Sequence, residues 1–148
     1  MATNEDELRT TVHGMLAGVF PDVWVNDYGS IMVQLPRNPV KCVAAKLPEG
    51  SLVVNLESPV LLDVPKPQPD VFQLLCLLQS SVPFGSIVTV SSSAGDVHLA
   101  IRGQLLADGL TTEALTKAVT LVHAAALDEI DRFRRISPPL GGQTAYEG

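Results

Sequence analysis

Aromatic side chains are scarce: one Trp, two Tyr and four Phe make up 5% of the 148 residues, so stacked rings cannot organise the interior. Val, Leu, Ile and Ala supply most of the 46% hydrophobic fraction, which predicts an aliphatic core. Cysteine is almost as rare. Cys42 and Cys76 stand in apolar segments with no CxxC spacing, a pattern of reduced, buried thiols rather than a disulfide or metal clip. No apolar run approaches the roughly 20 residues that a membrane-spanning helix needs. The opening "MATNEDELRT" is acidic, with no apolar stretch behind a basic one, so neither a signal peptide nor a membrane anchor is expected, and a cytoplasmic protein is.

Positive charge is also in short supply. Ten Lys and Arg against sixteen Asp and Glu leave a net charge of -6, which repels a phosphate backbone. The longest basic cluster, "RFRR" at 132–135, ends an otherwise acidic helix, where cations answer the helix dipole. Nucleic acid is therefore excluded as an expected partner. Catalytic signatures are missing as well: there is no GxSxG, no GxGxxG and no phosphate-binding glycine loop, and the serines at 91–93 precede a turn. His13, His98 and His123 fall on three different elements without an i,i+3 or i,i+4 partner, so no zinc site or other cofactor is expected. Asp128 and Asp131 in "DEID" share a helix surface and could hold a divalent cation, but such pairs more commonly solvate a face.

What is present is periodicity. At this length a single domain is expected, burying roughly 70% of the surface its unfolded chain exposes. Leu8, Val12, Met15, Leu16 and Val19 recur at helical spacing behind a Thr3 or Asn4 cap and an acidic first turn, and Pro21 marks the break. The period then changes to two. Val23 and Val25, then Ile31, Val33 and Leu35, predict a hairpin around Asp27-Tyr28-Gly29, with Trp24, Asn26, Met32 and Gln34 facing outward. "VKCVAAKL", a Pro-Glu-Gly turn at 48–50 and "SLVVNLESPVLLDV" follow, the last alternating at Leu52, Val54 and Leu56, with Pro59 marking an edge, a bulge or a break. "PKPQP" at 65–69 is a stiff connector. A second hairpin runs from Ile87, Val88 and Val90 through Ala94-Gly95-Asp96 to Val97, Leu99 and Ile101. A last helix, capped by Thr111, carries the stripe Leu115, Val119, Val122, Ala126, Ile130 and Phe133.

The segment at 69–79, "PDVFQLLCLLQ", predicts a helix apolar on more than one side. Val71, Leu74, Leu75 and Leu78 form one face, while Phe72 and Cys76 lie beside Gln79 about a quarter turn away. One sheet face cannot cover both. A second copy of the chain covers the remainder most economically, which predicts a homodimer with Phe72, Cys76 and Gln79 at its interface. A loop such as "PVLLDVP" lying over the helix would be the alternative cover. Trp24 with Met32, outward on the first hairpin, is the second apolar feature; it suits an adaptable peptide contact, the alternative being a Trp that simply packs against a helix edge. The elements follow the order α-β-β-β-α-β-β-α, an α+β fold with a mostly antiparallel sheet. The domain spans 1–136, followed by a flexible tail at 137–148.

This succession, with the small size, the acidity and the two-sided middle helix, resembles the type III secretion chaperone fold, and more specifically the YbjN-like branch of peptide-binding chaperones. The resemblance covers roughly residues 5–136. Its most telling part runs from "LLCLLQSSVPFG" through the second hairpin to "LLADGLTTEAL" and the acids of the last helix. It implies a dimeric, non-enzymatic protein that holds a non-globular segment of a client polypeptide. Since YbjN-like members occur without a type III secretion machine, secretion is not implied. Two other readings compete: an adaptor subunit that docks a folded partner, and a small enzyme working through Asp128, Asp131 or a histidine.

Overall fold

In a computed structural model, residues 2–64, 85–91, 97–140 and 143–144 are described. The first helix, α1 (Glu5–Ala17), begins where Asn4, in extended backbone, accepts the Glu7 N–H at 2.9 Å through its side-chain oxygen. The Glu7 carboxylate reaches back to accept from the Thr3 N–H and hydroxyl, both at 2.7 Å, and these bonds hold its pKa below the ordinary value. Leu8, Val12 and Leu16 form its buried stripe; Val19 falls past the end of the helix and is exposed.

Strands β1 (Val23–Val25), β2 (Ile31–Leu35), β3 (Asn38–Lys46) and β4 (Leu52–Val64) then form an antiparallel meander. β5 (Ser86–Ser91) and β6 (Val97–Leu106) complete the order β1-β2-β3-β4-β6-β5, and the short β7 (Gln143–Thr144) pairs with β4. The first hairpin has the expected parity: Val23 pairs with Val33 and Val25 with Ile31, while Asn26 accepts from the Tyr28 and Ser30 N–H groups and Gly29 takes φ 80°. Four strands, not three, precede the proline-rich connector. "VKCVAAKL" pairs along both its edges, with β2 and with β4, although alanine and lysine lend it little β-propensity of its own.

Pro59 lies at a bulge, with the β4–β6 register shifting between Pro59 and Leu61. On the other side of β4, the β3 ladder stops at the Lys41–Glu57 pair. Beyond it the buried Asn38 takes over: its amide donates to Ser58 Oγ at 2.8 Å and to the Pro59 carbonyl at 2.7 Å, and Ser58 Oγ donates to the Pro39 carbonyl. A proline, having no N–H to offer, costs nothing on an edge that β3 has left. β7 then occupies that edge at Leu61 and Leu62.

The last helix, α2 (Thr112–Leu140), starts with the Thr111 hydroxyl accepting the Ala114 N–H at 3.1 Å. Its expected stripe, Leu115 to Phe133, is buried throughout. The helix continues to Leu140, and main-chain pairing with β4 engages residues 143 and 144 without any apolar signal in the side chains. Both helices pack on one face of the sheet, α1 against β1, β2 and β3, and α2 against β3, β4 and β6. The α+β class and the antiparallel sheet are as expected. The helix expected at 69–79, and with it Phe72, Cys76 and Gln79, lies outside the described residues.

Candidate functional site

Strand parity separates the sheet into a face under the helices and a face turned away from them. On the latter, Trp24 stands directly opposite Met32, as the hairpin pattern predicts. Trp24 is 40% exposed and Met32 half-buried. The same row crosses the sheet: Met32 pairs with Lys41, Lys41 with Glu57, Glu57 with Arg102 and Arg102 with Ser86. The Glu57 carboxylate is shared. Arg102 Nη2 donates to its Oε2 at 2.9 Å, and Lys41 Nζ lies 3.7 Å from its Oε1. One row further, Gln104 donates to Asn55 across β4 and β6 at 2.8 Å.

Next to Trp24, Tyr28 of the hairpin turn is exposed at 93%; Val25, also exposed, lies on the opposite face with Ile31. β1 is only three residues long and ends the sheet, so its outer main-chain groups have no strand partner among the described residues. An indole and a flexible thioether can grip an extended polypeptide laid across this face, and an open strand edge can instead take up a main chain by adding it to the ladder.

The groups considered for catalysis do not converge. His123 Nε2 donates to the Pro36 carbonyl at 2.8 Å, and Asp131 pairs with Arg37 at 3.5 Å, so both tie the β2–β3 turn to α2. Arg37 holds the turn with φ 74°, a left-handed conformation unusual for a side chain of its size. Asp128 is exposed, and His13 and His98 sit on α1 and β6. Among the described residues no three His, Cys, Asp or Glu gather as metal ligands. A hollow of about 530 Å³ beside Ala2, Asp6, Glu7, Thr10 and Thr11 holds none of the histidines, Asp128 or Asp131 among its described lining residues.

Cys42 is buried against the core, and burial pushes its thiol up to about 12, which fits the inert role expected from its apolar setting. Two features escape the sequence. Glu129 lies in the core stripe of α2 at 1% exposure; burial pushes its carboxyl up, partly opposed by Arg132 at 3.1 Å, and its Oε2 has no partner. The Lys41–Glu57–Arg102 row could have been suspected from alternation within each strand, but only the register brings the three together.

No family model and no curated protein matches the sequence. Among solved structures the chain is similar to one described as the crystal structure of the ExsC-ExsE complex, with a TM-score of 0.55 and 15% identity, covering 90% of this chain and 96% of that one. The likeness is one of fold: an α+β chain with an antiparallel sheet, secretion-chaperone-like in its architecture. Among the described residues, no helix is long and apolar enough to cross a membrane.

Proposed function

We infer that this protein is a non-enzymatic, chaperone-like binder that holds an unstructured segment of a partner polypeptide against Trp24 and Met32. The single observation carrying this reading is the Trp24–Met32 pair on the sheet face turned away from the described helices, beside an edge strand of three residues that has no outer strand partner among the described residues. The fold likeness supports it, since the similar structure is a complex of two proteins. The acidity and the order of elements favour the YbjN-like branch. The protein acts as a homodimer in the cytoplasm, with Phe72, Cys76 and Gln79 at the interface, because the apolar surplus of residues 71–78 calls for a second surface.

Pull-down from native cytosol followed by mass spectrometry identifies the client. Its recovery should be lost on Trp24→Ala combined with Met32→Ala, and undiminished recovery removes both residues from the site. A partner recovered only as a folded domain, and never as an isolated unstructured segment, would favour the adaptor reading. Light scattering checks the dimer: wild type should be dimeric and Phe72→Glu monomeric, because a charge buried in an apolar contact costs several kcal/mol.

A further inference from the structure

The charge on the outer sheet face runs against the charge of the molecule. The chain carries -6 overall, and its helices are rich in acids, among them Glu5, Asp6, Glu7, Glu113, Asp128 and Asp131. Along the row from Trp24 to Ser86 the only carboxylate is Glu57, and it faces two cations, Lys41 and Arg102. One positive charge is left over. Both cations are substantially exposed, at 38% and 45% of their side chains, while Glu57 between them is at 17%. A guanidinium has five N–H donors, and among the described residues that of Arg102 makes one side-chain hydrogen bond, to Glu57; Lys41 approaches the same carboxylate only at 3.7 Å. Spare cationic donors beside an apolar pair call for an acceptor of negative charge.

Resting on the peptide-binding reading above, we propose that the client segment is acidic: an apolar anchor seated at Trp24 and Met32, followed by a carboxylate side chain that binds Arg102 and Lys41. The geometry sets the spacing. Neighbouring strands lie about 4.8 Å apart, so Met32 is one step from Lys41 and three steps from Arg102, roughly 5 to 14 Å. A segment lying extended across the strands of this face, not added to the β1 edge, advances about 3.3 Å per residue, placing the acid about two to four residues from the anchor. In a molecule of this net charge, the cationic row also attracts such a segment toward this face.

The single Trp is a built-in probe for the test. The full-length protein is titrated with a synthetic peptide bearing two leucines and, three residues on, two glutamates, and with its glutamine counterpart, following Trp24 emission. The glutamate peptide should bind about tenfold more tightly at low salt, with the ratio shrinking as added salt screens the exposed charges. Lys41→Gln combined with Arg102→Gln should erase the ratio. Glu57→Gln, which frees both cations, should widen it, and far-ultraviolet circular dichroism verifies that each variant is folded. Equal affinity for the two peptides, or a ratio indifferent to these substitutions, overturns the acidic selection while leaving peptide binding intact. If neither peptide perturbs Trp24 at any concentration, peptide binding at this face falls, and the selection with it.

Discussion

Along β4, Val54 and Leu56 are sealed beneath the helices, while Asn55 and Glu57 between them carry the polar contacts of the opposite face. A step of one residue changes a side chain's whole task. The covered face is selected for volume: Ile31, Val33, Val40, Leu56, Leu99 and Ile101 pack against Leu16, Leu115, Val119 and Val122 in one aliphatic cluster. On the opposite face one row is selected for chemistry, with an indole, a thioether and a shared carboxylate set in register across five strands.

Substitution should break this contrast most visibly at adjacent positions. Leu56→Ala removes buried volume and should lower the unfolding free energy by about 3 kcal/mol, whereas Asn55→Ala should stay within about 0.5 kcal/mol; denaturant titrations of the two variants measure the difference between the faces directly. The next largest effect is expected where a polar group sits in the covered layer. Asn38→Ala deletes the bonds to Ser58 and Pro59 at the point where β3 leaves β4, at a cost of about 2 kcal/mol. Hydrogen exchange should show the added opening around residues 38–40 and 58–60 rather than across the sheet.

The smallest expected change sharpens the comparison through pH. Burial holds the folded-state pKa of Glu129 above its ordinary 4.5, so the charged form is the one that folding disfavours. Wild-type stability should therefore gain a component as pH falls from the raised folded value toward 4.5, and lose it as pH rises back through that window. Glu129→Gln removes this component: it should stabilise the protein by about 1 kcal/mol at neutral pH and by progressively less in acid. Thermal unfolding of both proteins across pH 4 to 7, taken as roughly the carboxylate window, tests it, and parallel curves would refute the assignment.

Much of this division was legible in the sequence. The stripes of α1 and α2, and the alternation that turns Trp24 and Met32 outward, follow from local periodicity, because each element buries one face of its own. Other features depend on which chain segment lies alongside. The alanines of β3 read as weak strand formers until β2 and β4 flank them, and Gln143 and Thr144 carry no apolar pattern at all. Glu57 and Arg102, 45 residues apart, meet only through strand register. Glu129 was hidden for a different reason: a carboxylate in an acidic helix reads as solvent-facing unless its phase is counted against Ala126, Ile130 and Phe133.

The position of β4 also sets an order of assembly. Its pairing with β3 closes across the short turn at Pro48–Gly50, a nearby and rapid event, whereas its pairing with β6 must bring together residues some 45 positions apart. Because β1 to β4 leave the ribosome before β6, the β4 edge that β6 will take is exposed, along with the outer edge of β1, until β6 emerges. During that interval the nascent chain is most open to mispairing with its neighbours, so slower translation through the stretch after β4 should lower the yield of native protein.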